Sequence, residues 1–313
     1  MVSDIEFIEQ APTVYVIGQT SVNIEAIHQY LDSIGEEWNQ VGAQAPYLLV
    51  MPDYSTEDEL QRNQEWLREQ YVGTANAFKP MILSNNDIEI RPNPAGVTDP
   101  QLMIEAAGRV CYGSWNNPAG RTTEEYIQEQ IVKHRHESVL EHLTFNCLVQ
   151  NLPRSTQLEL VRHRVGVAYS FESTRFTDKR LRFVVPPAIR GDLVATIRWK
   201  GAIREEVEAY HAILERVDVS NEEGTMKRKR AKEAARSLLP NAQASDGVVT
   251  LNARAARHII TLRSSDHADA SIREFAVALY DALAPLAPAV FADLVKEEHH
   301  SGTPTVRMGE QVV

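Results

Sequence analysis

Cysteine is nearly absent: Cys111 and Cys147 are the only two in 313 residues, and they lack CxxC spacing. That argues against a disulfide scaffold and suits a reducing cytoplasm. Both read as small core residues, Cys111 at an apolar helix end and Cys147 within a strand-like run, so neither offers an activated nucleophile. No apolar run approaches the ~18 residues that span a bilayer. The opening MVSDIEFIEQ lacks the basic and apolar regions of a secretory signal. Positive charge is in deficit, with 32 Lys+Arg against 43 Asp+Glu for a formal balance of -11. An acidic surface disfavours a general nucleic-acid binder, because phosphate affinity needs net positive charge. GxSxG, Walker and GxGxxG motifs are missing too. Histidines and glutamates at 134–142 fail as a zinc site: His136-Glu137-Ser138-Val139-Leu140 lacks the second histidine of HExxH. Glu297-Glu298-His299-His300 reads as disordered polar surface, so no metal is expected.

What is present is ordinary soluble-protein material. With 43% hydrophobic and 24% charged residues, the chain can bury one large core or two of usual size. TVYVIG at 13–18, YLLVM at 47–51 and PMIL at 80–83 read as strands. Helices opened by Ser21 and by the Ser55/Asp58 pair lie between them. This alternation predicts a small α/β unit over residues 1–85, a parallel sheet being the natural arrangement. Beyond it come a short strand at 88–92 and a helix start at Asp99-Pro100. Thr122 with Glu125 forms a capping box, and a strand follows at 143–150. Pro153 opens the next helix, 181–186 is a strand, and helices span about 192–216, 227–239, 252–263 and 270–284. Strands mixed with long helices over 86–313 make the fold class α+β.

Between Arg154 and Arg182 the charge balance inverts. Seven Lys/Arg (Arg154, Arg162, Arg164, Arg175, Lys179, Arg180, Arg182) face three acids (Glu159, Glu172, Asp178). Guanidinium groups hold phosphate oxygens in pairs and keep their protons, so this stretch is either a compact anion site or a solvated basic face. Valines and leucines threaded between the arginines favour the first.

The same stretch resembles the signature of flavin-dependent thymidylate synthases: Arg162-His163-Arg164, a loop, then Ser173-x-Arg175. His136-Glu137-Ser138-x-x-Glu141-His142 upstream is similar to that family's preceding segment. Ala235-Arg236-Ser237-Leu238-Leu239-Pro240, Asn252-Ala253-Arg254 and Leu262-Arg263-x-x-x-His267 downstream follow in the family's order. The resemblance implies FAD, methylenetetrahydrofolate as one-carbon donor, NADPH as reductant and a homotetramer in the cytoplasm, with no membrane or nucleic-acid partner. It assigns the flavin to Ser138, Arg162, His163, Arg164, Asn252, Arg254, His258 and His267. The nucleotide falls to Glu159, Arg162, Ser173, Arg175, Arg236 and Arg263. Arg263 takes the catalytic place beside the pyrimidine, where fixed positive charge stabilises the activated ring, and His136 lies near flavin and folate. Read without the resemblance, Arg263 is a helix-end arginine paired with Asp266 or Asp269, and His136 caps the preceding helix.

Four departures stand out. Eight residues rather than seven separate Arg164 from Ser173, which shifts Ser173 and Arg175 unless the extra residue bulges. Glu159 replaces the family's usual glutamine, positioned to pair with Arg162, repel a phosphate, or face Arg154 or solvent. Phe171 stands where an acid or amide is usual, and His258 where asparagine is frequent. The implied reaction is conversion of dUMP to dTMP. A pyrimidine nucleotide hydroxymethylase and a non-catalytic nucleotide-binding relative are the alternatives.

Overall fold

A computed structural model of the chain describes residues 5–38, 49–50, 81–82, 88–90, 99–116, 121–175, 181–217 and 223–309. Its elements in order are β1 (Ile5–Ile8), β2 (Thr13–Gln19), α1 (Ile24–Ile34), β3 (Leu49–Val50), β4 (Met81–Ile82), β5 (Ile88–Ile90), α2 (Asp99–Tyr112) and α3 (Thr123–Tyr126). Then come β6 (Thr144–Pro153), α4 (Arg154–Leu160), β7 (Val167–Phe171), β8 (Leu181–Val184), α5 (Leu193–Arg216) and α6 (Gly224–Ala235). The chain continues with β9 (Ala244–Asn252), α7 (Ala253–Arg263), α8 (Ala270–Leu283), α9 (Pro288–Phe291), β10 (Leu294–Glu297) and β11 (Thr305–Met308). They form two compact units, residues 1–19 with 143–313, and residues 20–142.

The larger unit is built on an antiparallel sheet in the order β2-β6-β9-β7. Alternation along β6 sends Phe145, Cys147 and Val149 inward, and all three are fully buried. Their partners across the ladder on β9 are Leu251, Val249 and Gly247. Phe275, Phe291 and Ile260, from α8, α9 and α7, complete this core. Each such side chain contributes roughly 1.5–3 kcal/mol by leaving water. Burial pushes the Cys147 thiol up to about 12, so it stays protonated as a packing group. Gly247 is required where β7 crosses: a Cβ there would come within 2.3 Å of the Phe171 ring. A bulge between Val149 and Leu152 places Asn151 at φ 63. Asp246 accepts its N–H at 2.9 Å, and Arg182 donates to its side chain at 2.8 Å.

The N-terminal strands pair differently from the sequence expectation. β2 joins the core sheet through β6, and β1 runs parallel to β8. The backbone edges of β6 and β8 need partners, and these two strands supply them. β3, β5 and β4 form a separate three-stranded sheet that is antiparallel, not parallel. The expected helix after Ser55 lies outside the described residues. In the smaller unit Asn23, rather than Ser21, caps α1, whose Leu31 packs with Ala106 and Trp115. The Thr122–Glu125 capping box forms as read. Buried Glu105 accepts from Arg109 at 2.6 Å and from Thr123 at 2.5 Å. Cys111, expected in a core, is exposed, because α2 turns that side to solvent.

Residues 297–300 are ordered rather than loose surface. They end β10 and begin the connection of a β10–β11 hairpin held by the Glu297–Arg307 pair at 2.6 Å. His299 there meets Arg273 at 2.9 Å and Asp266 at 3.3 Å.

Candidate active site

Pro153 ends β6 and serves as the N-cap residue of α4, as its fixed φ allows. The helix lasts two turns and releases the chain into the Arg162-His163-Arg164 turn. Two backbone bonds shape that turn, Arg162 N–H to the Glu159 carbonyl at 3.3 Å and His163 N–H to the Leu160 carbonyl at 2.9 Å. The Tyr169 hydroxyl, from β7, reaches the carbonyls of Leu160 at 2.6 Å and His163 at 3.0 Å. Burial pushes Tyr169 up to about 12, so it remains a donor at neutral pH. Sequence reading missed this tyrosine. The alternation in VAYSF was the available signal.

Gly166 then carries the turn onto the start of α7. Its φ is +72, its carbonyl accepts the Asn252 N–H at 2.9 Å, and a Cβ there would meet the Asn252 amide at 2.4 Å. Asn252 caps α7 by accepting from the Ala255 N–H at 2.8 Å. Arg254 is exposed in the first turn of that helix. The side chains of Arg162 and Arg164 are also exposed, with no acid partner among the described residues. A helix N-terminus, with its unpaired N–H groups and positive dipole end, thus sits against a turn that presents two guanidiniums.

At the other end of α7, Arg263 is held from three sides. Its Nε–H donates to His163 Nε2 at 2.9 Å and its Nη1–H to Glu159 Oε2 at 2.8 Å. Nη2–H points at the Glu159 carbonyl at 3.3 Å. Asp266 and Asp269 are therefore not its partners, and Glu159, half-buried, pairs with Arg263 rather than with Arg162 or Arg154. The pairing follows from α4 and α7 ending side by side. His163 is pushed down to about 4, first by burial, then by the Arg263 charge and by His258. It is neutral at pH 7, and because Nε2 accepts, its proton sits on Nδ1. The His258 ring lies edge-on to it at 5.5 Å.

A second group forms around Glu233 of α6. Arg175 Nη1 reaches it at 3.0 Å and Arg230 at 3.1 Å, and these bonds, the Arg175 one first, hold its carboxyl below the usual range. Ser173 Oγ lies 3.4 Å from the Arg175 N–H, and Arg236 is exposed just beyond α6. The stretch read as a loop between Arg164 and Ser173 is largely strand β7, paired residue by residue with β9. Phe171 stacks on Tyr169 at 5.8 Å. Arg182 pairs with Glu172 at 3.4 Å and Asp246 at 2.9 Å, so it braces the sheet.

His136 and Ser138 belong to the smaller unit, where both are exposed. The Tyr112 hydroxyl meets His136 Nδ1 at 2.9 Å, and the two rings stack at 5.7 Å. His267 is exposed in the connection between α7 and α8.

The chain is similar to known proteins. Residues 95–289 match the family described as thymidylate synthase complementing protein. A flavin-dependent thymidylate synthase of Mycobacteroides abscessus is 42% identical over 228 residues, covering 69% of this chain and 89% of that enzyme. The enzyme of the same name from Mycobacterium sp. (strain JLS) is 38% identical with the same coverage. A crystal structure of the UMP/dUMP methylase PolB from Streptomyces cacaoi, bound with 5-Br UMP, superposes with a TM-score of 0.50 at 26% identity. It covers 61% of this chain and 89% of that one. With identity sustained across nearly the whole of these relatives, and with the Arg-His-Arg turn set against α7, the chain belongs to the flavin-dependent thymidylate synthase family and is an enzyme of that family.

Proposed function

We propose that the protein transfers a one-carbon unit from methylenetetrahydrofolate to C5 of dUMP, giving dTMP, with bound FAD and with NADPH as reductant. The observation that carries this reading is the pairing of two unlike ends of α7. One end presents Asn252, Arg254, Arg162 and Arg164 around a helix N-terminus. The other holds a single fixed guanidinium, Arg263, against neutral His163.

The first end fits the pyrophosphate of FAD. Its donors are fixed cations and backbone N–H groups, and the close approach at Gly166 keeps the turn flush with the helix. Reduced flavin supplies the electrons that turn the transferred carbon into methyl. His258 contributes a polar contact to the cofactor, as does His267. Arg162 with Ser173, Arg175 and Arg236 holds the nucleotide phosphate, with Glu233 keeping Arg175 in place until an anion arrives.

Arg263 faces the pyrimidine. Its charge persists at any working pH, so it stabilises the ring as negative charge develops on activation. His163 orients the guanidinium through Nε and takes up no proton itself near neutrality. The 5-Br UMP bound to PolB supports a pyrimidine nucleotide as ligand. Tyr15 and Leu148 are register partners on the outward face of the core sheet, and with Ile17 they leave an exposed apolar strip. An exposed apolar strip of this kind suits burial against a further copy of the chain, which supports the homotetramer reading.

Spectroscopy tests the cofactor directly. The purified protein should show flavin absorption, release FAD on denaturation, and change its flavin spectrum when dUMP is added. A colourless protein that takes up no FAD overturns the reading.

A further inference from the structure

The C-terminal hairpin, β10 with β11, lies beyond the family match at 95–289 and takes no part in the core sheet. Its two ends meet opposite ends of α8. At one, the Tyr280 hydroxyl donates to the Leu294 carbonyl at 3.2 Å and Lys296 pairs with Asp281 at 2.7 Å. The other reaches Ser264–Asp269, the connection from α7 to α8, which begins next to Arg263 and carries His267. Two pins join hairpin and connection. Ser264 is fully buried, and its hydroxyl donates to the Val306 carbonyl at 2.8 Å while accepting the Val306 N–H at 3.0 Å. One side chain thus satisfies both backbone groups of a buried strand residue. The second pin is His299. Arginine is only a donor, so His299 Nδ1 accepts from Arg273 at 2.9 Å and Nε2–H faces Asp266 Oδ1 at 3.3 Å. Arg273 is 5% exposed and has no carboxylate partner among the described residues. Its other bonds go to Ser301 and to the Ala268 carbonyl. Among the described residues, every polar contact that reaches this connection from beyond its own turns and flanking helices comes from the hairpin.

We propose that Ser264 and His299 are positioning residues for the reaction, through which the C-terminal hairpin fixes where Arg263 and His267 stand. The inference rests on the reading above, in which Arg263 faces the pyrimidine and His267 the flavin. Glu159 and His163 aim the Arg263 guanidinium, but neither fixes the chain that follows it. Ser264 does so one residue on, and His299 grips the residue directly before His267. The two pins have separable effects. Loss of the Ser264 hydroxyl leaves the Val306 backbone groups unpaired in a dry site, so β11 must shift and the end of α7 loosens with it. Loss of the His299 ring frees Asp266 and removes an acceptor from Arg273 together, which loosens the connection around His267.

The test compares Ser264→Ala, His299→Ala and His299→Gln with the native FAD-bound protein. Glutamine offers Arg273 an acceptor and Asp266 a donor from one side chain, so it stands in for the ring. Ser264→Ala should lower kcat for dUMP by roughly tenfold or more, with a smaller change in FAD affinity, since about 1 Å of misplacement can cost a hundredfold. Histidine NMR of that variant should show the His163 pKa rising from about 4 as the Arg263 charge recedes, a change that lost stability alone does not produce. His299→Ala should weaken FAD binding by roughly tenfold, and His299→Gln should restore most of it. Lys296→Ala cuts the hairpin's contact at the opposite end of α8 and serves as control; it should move neither quantity. Native kcat and FAD affinity in Ser264→Ala and His299→Ala, with only a lowered Tm, overturn the proposal. So does a His299→Gln protein no better than His299→Ala, or a Lys296→Ala protein equally impaired. Should Ser264→Ala not fold, the two His299 variants decide the matter alone. A native protein that neither holds FAD nor turns over dUMP sinks the reading of the site, and this inference with it. Native turnover with unaltered variants sinks the inference alone.

Discussion

Replacing Tyr169 with phenylalanine isolates the support beneath the Arg-His-Arg turn. The hydroxyl lies 2.6 Å from the Leu160 carbonyl and 3.0 Å from that of His163. It has one proton to give, so the loss counts as one hydrogen bond shared between two acceptors. The Leu160 carbonyl keeps the His163 N–H at 2.9 Å, and the His163 carbonyl is left with water as its replacement. A net cost of about 1 kcal/mol follows, equivalent to a fall in Tm of about 2–4 °C for a unit of this size. The ring stays in place against Phe171, so the core should not repack. The larger consequence falls on Arg162 and Arg164, which ride on the loosened turn. Because a misplacement of about 1 Å in a positioning group can cost a hundredfold, FAD affinity should drop by more than the stability loss alone predicts. Thermal unfolding of the flavin-free protein and FAD titration of Tyr169→Phe and native proteins measure the two effects separately. Unchanged FAD affinity alongside the small fall in Tm would refute the idea that Tyr169 positions this turn.

Four further outcomes are expected. Arg263→Gln should raise the His163 pKa from about 4, though not to its ordinary 6.5, because burial is the first cause and persists; histidine NMR showing no movement would contradict the contact. Between 6.5 and about 4 the unfolded chain binds a proton that folded His163 refuses, so stability is complete above this window and falls as pH drops through it. After discounting for partial exposure this amounts to about 1 kcal/mol, which His163→Gln should remove from the acid limb of urea-denaturation curves. Gly166→Ala should cost about 1–3 kcal/mol, since it strains a φ of +72 and drives a methyl into Asn252, and weakened FAD binding should accompany the lowered urea midpoint. Asp293→Ala strips Arg257, itself 5% exposed, of a two-pronged partner at 2.6 and 2.7 Å and should destabilise by about 3 kcal/mol or more.

The elements legible in the sequence were those whose signals are local. Asp99-Pro100, the Thr122–Glu125 box and the long periodic helix at 193–216 all declare themselves within a few residues. Strands whose existence depends on distant partners were hidden. β9 crosses the middle of the core sheet, yet SDGVVTLN contains a glycine that looks like a breaker until Phe171 is seen to need its space. β7 passed for loop because its pairing partner lies some 80 residues away. The tail hairpin was masked by charges that turn out to pair across it, Glu297 with Arg307. Residue types pointed to the Arg-His-Arg turn and to Arg263, which the fold brings together through His163. Which acid would hold Arg263 depended on two helix ends meeting, and no spacing rule reports that.

The most direct measurement is the mass of the product. Purified protein with FAD, NADPH, methylenetetrahydrofolate and dUMP should yield a nucleotide heavier than dUMP by one CH2 and co-eluting with dTMP, and yield none when the folate is withheld. A product carrying an added hydroxymethyl group, or no product from a flavin-loaded protein that binds dUMP, would contradict thymidylate synthesis as the reaction this site performs.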